Sequence, residues 1–260
     1  MAMAALALCL AAACERNTPP GPPQVMIRVA AASDLRFAFD RVAVAFVTKN
    51  PGIDVQTFYS ASGTHAARIE KGEPYDLFLS ADEQLSAWLV KSGHARDPVA
   101  YAQGHLVIWA RNESVLDPVA LGPRVLLEPA AKQIAIANPA LALHGRAARA
   151  ALKSLELSDR VNDRLVNAND VSLAAQLVES GKADAGIIAL SLAMAPPMRA
   201  AGRFWRFPPA SHPPIRHIAA IVSRTRHPEA ARKLRDFLDT PEASRILAEF
   251  GYDPAGGPSP

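Results

Sequence analysis

From Val25 onward the apolar positions follow two rhythms, short continuous runs and helical spacing. "QVMIRVAAA" is a run of the kind shown by a strand buried on both faces. Leu35, Phe39, Val42 and Phe46 then recur at the spacing of a helix with one buried stripe. Asn50, Pro51 and Gly52 end that helix, and "IDVQTFYS" reads as the next strand. A short helix over "THAARIEKG" closes on Gly72, "YDLFLSA" is a third strand, and "DEQLSAWLVKSG" is a helix ending at Gly93. The order βαβαβα predicts a mostly parallel sheet with right-handed crossovers.

The alternation resumes further on. "HLVIWAR" (His105 to Arg111) and "KQIAIANP" read as strands, followed by a helix from Gly145 to Glu156. "RLVNAND" leads into the helix "VSLAAQLVESG", and "ADAGIIAL" is again a strand. The proline-rich "RFPPASHPPIRH" precedes "IAAIVSR", a strand expected to pair with "HLVIWAR". Helices opening at Pro228 and Pro241 finish the body, the second stopping at "FGYD". Two βα sets joined by two long strands predict two lobes with a hinge. Residues 25–105 with 218–252 form the first, residues 106–217 the second, and residues 253–260 are expected to be a disordered tail. A cleft between two α/β lobes is a favoured place for a ligand.

Composition narrows the function. With 260 residues, half of them apolar, the chain is long enough for two lobes of about 100 residues each. A formal charge of +3, scattered and without a basic helix, speaks against nucleic-acid binding. The uncharged start "MAMAALALCLAAAC" is too short to span a bilayer and reads as the hydrophobic region of a secretion signal. "LAAAC" fits a lipoprotein box with Cys14 as the lipid-bearing residue, and simple cleavage near Ala13 is the alternative. Residues 15–24, "ERNTPPGPPQ", then form an extended tether. Both cysteines, Cys9 and Cys14, lie in the leader, so the body holds no disulfide, cysteine–zinc site or cysteine nucleophile. The seven histidines show no metal spacing, and no glycine-rich phosphate loop appears.

The candidate chemistry sits at two strand-to-helix junctions. "AAASDL" places Ser33 at the mouth of one helix, and "YSASGTH" places Ser60, Ser62, Gly63 and Thr64 at the next. Either serine could be a plain helix cap. Two serine-bearing helix starts at the same edge of one parallel sheet would instead aim hydroxyls and free N–H groups at one point. That makes an oxyanion site with no cationic side chain. Asp34, beside such a site, is expected to face away and favour the helix dipole. Asp82 is read as the cap of the next helix, and Asp76 as bonding backbone at a strand start.

The segments "VAAASDLRFAF", "SASGTHAARIEKGEPYDLFLSAD", "GHLVIWAR", "IANP…HGRAARAAL", "NDVSLAAQLVESGKADAGIIA" and "EASRILAEFGY" together resemble the periplasmic molybdate-binding proteins of ABC importers, in order from about Val25 to Tyr252. The resemblance implies the type II periplasmic binding protein fold, two α/β lobes with mostly parallel sheets flanked by helices and joined by two hinge strands. It implies a monomer without cofactor that takes molybdate, and tungstate, to a membrane permease. By position it assigns the anion to Ser33, Ser62, Val171 and His144, with Ser60 the alternative if the loop register shifts. Val171 and His144 would contribute backbone N–H groups. The His144 side chain would either add a donor or sit half exposed on the cleft rim. The family's tyrosine after "GII" is replaced by Ala189, so one donor is lost or comes from elsewhere. Alternatives are another ligand on the same fold (sulfate, phosphate, iron or a small organic anion), a signalling module, or a serine hydrolase with Ser33 as nucleophile and His65 or His144 as base. The last lacks the glycine-flanked nucleophile elbow.

Overall fold

The computed structural model describes residues 25–256; the apolar leader, Cys14, the proline-rich stretch and residues 257–260 lie outside the described residues. The chain runs β1 (Val25–Ala32), a 3₁₀ turn (Ser33–Leu35), α1 (Arg36–Lys49), β2 (Ile53–Ser60), α2 (Ser62–Glu70), β3 (Leu77–Ser80), α3 (Glu83–Lys91) and β4 (Ala95–Gly104). It continues through β5 (Leu106–Arg111), α4 (Pro118–Leu121), β6 (Ile134–Ala137), α5 (Leu143–Ser154), α6 (Ser158–Val161), β7 (Leu165–Ala168), α7 (Val171–Glu179) and β8 (Ala185–Ala189). The remainder is α8 (Leu190–Ala193), α9 (Pro196–Ala201), β9 (Gly202–Arg206), β10 (Ile215–Val222), α10 (Pro228–Leu238) and α11 (Pro241–Ala248).

The strands form two five-stranded sheets, ordered β2-β1-β3-β10-β4 and β7-β6-β8-β5-β9. Both are mixed. β1, β2 and β3 pair in parallel, as do β6, β7 and β8, while β10 and β5 run against their neighbours. Each reversed strand follows a crossing between lobes, β5 at His105 and β10 after residues 207–214. The expected pairing of Ile218–Arg224 with His105–Arg111 is therefore overturned: β10 pairs with β3 and β4, and β5 with β8 and β9. The chain rejoins the first sheet at Ile215, three residues before the boundary placed at 217/218. Sequence reading also passed over β4 and β9, the edge strands. β4 carries Pro98 and a left-handed Asp97, and an edge strand tolerates both because one side of its ladder is unpaired. Asp253 exchanges two backbone hydrogen bonds with Gln103, and its carboxylate accepts from His105 Nε2 at 2.8 Å.

Side-chain alternation explains the burial. In β1, Ile27, Val29 and Ala31 enter one core while Ala30 enters another with Phe78 and Ala220. The larger core continues without interruption into the second lobe through Leu106, Ile108, Ile134 and Ile187. A further cluster joins Ala61 of the first lobe to Ala142, Val171 and Ala189 of the second. The lobes are closed on each other, and the backbone seals them: Gly63 N–H donates to Leu141 O at 3.0 Å. A Cβ at Gly63 would stand 2.6 Å from that oxygen, a separation real Cβ atoms do not adopt. Gly63→Ala should push the lobes apart without unfolding either. Small-angle scattering is expected to give a larger radius of gyration than wild type; an identical profile would contradict this contact's role in closure.

His65, on α2, is fully buried with its ring edge-on to Tyr75. Burial pulls its pKa down to about 4. The unfolded chain then binds more protons than the folded one between about pH 6.5 and 4, so stability falls as pH is lowered through that window. His105, His144 and His212, also lowered by burial, act in the same direction. The melting temperature should drop between pH 7 and 4, and His65→Leu should shrink that drop by up to about 3 kcal/mol equivalent. An unchanged pH slope in the variant would contradict the assignment.

Candidate functional site

The helix starts fall into two kinds, with and without a side-chain cap. Asp82 caps α3, Asp170 caps α7 and Thr240 caps α11, each accepting main-chain N–H groups of the first turn. At the turn after β1 the capping position is Ala32, at α2 it is Ala61 and at α5 Ala142, and none provides a side-chain cap. Ser33 and Ser62 sit one residue further on, inside the turn. The plain capping reading of the two serines is thereby overturned. The ends of three helical segments are left with first-turn N–H groups that no side chain satisfies, and alanine keeps the approach open.

Ser33 is 3 % exposed, and its Oγ accepts a long hydrogen bond (3.4 Å) from Ser172 N–H across the lobe boundary. Ser62 is equally buried, and its Oγ accepts from Ala81 N–H at 3.1 Å. Each hydroxyl, holding a donor on its lone pairs, keeps its own hydrogen to give. Val171, the first residue of α7, is 2 % exposed. Asp170 takes the N–H groups of Ser172 and Leu173, so the cap passes over that of Val171. Ser60 ends β2 half-buried, in register with Ala32. Ala189 closes β8, buried in the cluster that also holds Ala61 and Val171.

His144, in the first turn of α5, is 3 % exposed, which overturns the half-exposed rim reading. Its Nε2 lies 3.7 Å from Asp34 Oδ2. Asp34 does not serve a helix dipole from an outward position as expected. It is 1 % exposed and sits at the centre of a buried network. Oδ2 lies 2.7 Å from His217 Nε2 and accepts from Tyr252 OH at 2.8 Å, while its main-chain oxygen accepts from Ser191 Oγ at 2.9 Å and Tyr252 OH at 3.0 Å. Burial alone would raise this carboxyl; the charges of His217 and His144 and the hydrogen bonds from His217 and Tyr252 outweigh it and hold the group well below the usual carboxylate range. The same burial, with Asp34 alongside, raises Tyr252 and Tyr101 well above the usual phenol range.

Two further readings hold. Asp82 caps α3 and is also engaged by Arg146 of the second lobe, an ion pair across the cleft mouth. Asp76 accepts from Arg28 N–H at 2.7 Å and from Thr225 Oγ1. Neither His65 nor His144 hydrogen-bonds to Ser33 Oγ among the described residues. His217, Tyr252, Ser191 and Arg146 went unread in the sequence. Tyr252 stood within the recognised "EFGY", but its partner lies 218 residues away.

The architecture has counterparts among known proteins. The family model described as bacterial extracellular solute-binding protein matches residues 27–253. The molybdate-binding protein ModA of Azotobacter vinelandii is 31 % identical over 228 residues, 87 % of this chain and 89 % of that relative. The putative ABC transporter substrate-binding lipoprotein YvgL of Bacillus subtilis is 25 % identical over 95 % of this chain and 94 % of its own. The solved periplasmic molybdate-binding protein of Azotobacter vinelandii superposes with a TM-score of 0.81 at 30 % identity, covering 87 % of this chain and 98 % of that one. With two mixed-sheet lobes closed over uncapped helix starts, and with relatives of this kind along nearly its whole length, the chain belongs to the bacterial extracellular solute-binding proteins, alongside their molybdate-binding members.

Proposed function

We propose that this chain is the substrate-binding protein of an ABC importer, and that it captures molybdate, with tungstate as a close substitute, in the interlobe cleft and delivers it to a membrane permease. The observation that carries the reading is the set of uncapped, alanine-flanked helix starts bearing Ser33, Ser62 and His144, joined by Val171, all buried where the lobes meet. Hydroxyls and main-chain N–H groups stabilise a dianion by charge-assisted hydrogen bonds without a counter-ion that would have to be stripped of water. Donors from both lobes make the closed form the ligand-stabilised one. A fully deprotonated tetrahedral dianion needs donors only, whereas monohydrogen phosphate brings a proton that needs an acceptor. Sulfate carries the right charge but is smaller, and cavity size under closure separates it from molybdate.

The protein acts as a binding protein rather than an enzyme in this reading, without a cofactor and as a monomer. A periplasmic location follows from the company of its relatives, and a lipid on Cys14 with residues 15–24 as leash would hold the lobes near the permease; the lipoprotein name of the Bacillus relative favours that arrangement. Ala189 removes the hydroxyl that the family resemblance leads one to expect after "GII", and in this reading His144 supplies another donor.

Ser33→Ala and Ser62→Ala should each weaken molybdate binding by roughly tenfold or more while leaving the melting temperature of the ligand-free protein within a few degrees of wild type. Isothermal titration with molybdate and a thermal melt without it check both halves. Wild-type affinity in both variants would contradict the site assignment.

A further inference from the structure

Behind Ser33 the closed cleft holds a cluster of charge that capture by neutral donors alone does not use. Asp34 Oδ2 is 2.7 Å from His217 Nε2 and 3.7 Å from His144 Nε2, and at most 4 % of any of the three side chains is exposed. Asp34 and His217 belong to the first lobe and His144 to the second, so the cluster spans the surfaces that must separate and close. It is short of hydrogen bonds. The Asp34–His144 distance is too long for one, and His144 Nε2, Asp34 Oδ1 and His217 Nδ1 are buried without a partner among the described residues.

The groups facing His144 can be named element by element. Asp34 comes from the turn after β1, His217 from β10, His212 from the β9–β10 connection and Asp170 from the start of α7. β6 and β8, which also flank α5, carry no titratable residue. On α5 itself, Arg146 is engaged by Asp82. Burial, against the pull of Asp34, holds His144 below the usual histidine range, so the imidazole is neutral in the ligand-free protein at neutral pH.

A doubly charged oxyanion beside Ser33 changes that balance. Negative charge then lies on two sides of the imidazole, the anion's and that of Asp34, and each favours the protonated form. We propose that oxyanion capture is coupled to the uptake of a proton by His144, with Asp34 as the positioning residue that holds the resulting imidazolium across the lobe boundary. The proton comes from solvent, no covalent bond of the anion changes, and the complex carries one positive charge more than the sum of free protein and dianion. The added N–H provides a hydrogen bond the cluster lacks once the 3.7 Å gap closes. It also offsets a carboxylate that would otherwise repel the ligand. The inference rests on the oxyanion reading of the site.

The test is calorimetric titration of the full chain with molybdate in buffers of different ionisation enthalpy. The dependence of the observed heat on buffer reads the protons taken up. At pH 7–8 the wild type should take up between about 0.3 and 1 proton per anion bound, and its affinity should rise by up to about tenfold for each pH unit lowered between 8 and 6. In H144Q the uptake should fall below about 0.1 and the pH dependence should flatten. In D34N both should shrink; if D34N does not fold, H144Q alone decides the matter. Molybdate binding with no proton uptake anywhere between pH 6 and 8, or uptake that persists in H144Q, would overturn the proposal. A wild-type protein that binds no molybdate at all would overturn the oxyanion reading, and this coupling with it.

Discussion

A carboxylate with 1 % of its surface exposed cannot be left alone, and much of this structure is arranged around the one at Asp34. The carboxylate bonds His217 on the strand that returns to the first sheet and Tyr252 after α11, while the main-chain oxygen of the same residue accepts from Ser191 of the second lobe. These partners lie 157 to 218 residues away in sequence. The network therefore ties the turn after β1 to three distant parts of the chain at once. Ser33 precedes Asp34 directly, so the hydroxyl at the cleft inherits a fixed position from the buried network beneath it. Removing a hydrogen-bond partner of Asp34 leaves a buried carboxylate less compensated, which is costly.

Closure is the second constraint. The cores of the two lobes are continuous, and small residues let their backbones approach at Gly63 against Leu141 and at the alanines Ala61, Ala142 and Ala189. Small side chains at helix starts serve two ends. They permit the approach, and they leave first-turn N–H groups without a side-chain acceptor. Those groups are tolerable in a buried interface only if something else accepts from them. An oxyanion is an acceptor of the right chemistry, so in the proposed site the packing of the lobes and the affinity for ligand share one origin.

How much of this was legible in the sequence depended on how local the signal was. The βα alternation, the strand-to-helix junctions at Ser33 and Ser62 and the cap at Asp82 were readable, because periodicity and capping act over a few residues. The edge strand β4 was not, since Pro98 and Asp97 break the pattern that marks a strand. Nor was the partner of β10, because which strands pair is decided by topology rather than by their own residues. Asp34 was misjudged for the same reason: a carboxylate at a helix start has a sufficient local explanation, and nothing near it announces His217 or Tyr252. The family resemblance supplied the order of the lobes and the proposed anion-binding positions, but not Arg146, His217 or the burial of His144.

The central claim is that neutral donors from both lobes, presented at Ser33, Ser62, His144 and Val171, hold one oxyanion. Its most direct test is a crystal structure grown with molybdate and mapped with anomalous diffraction at the molybdenum edge. The account predicts a single strong peak between the lobes, with anion oxygens within hydrogen-bond distance of the two serine hydroxyls and of the main-chain N–H groups of His144 and Val171. A peak elsewhere, or a closed cleft with no molybdenum in it at saturating molybdate, would contradict it.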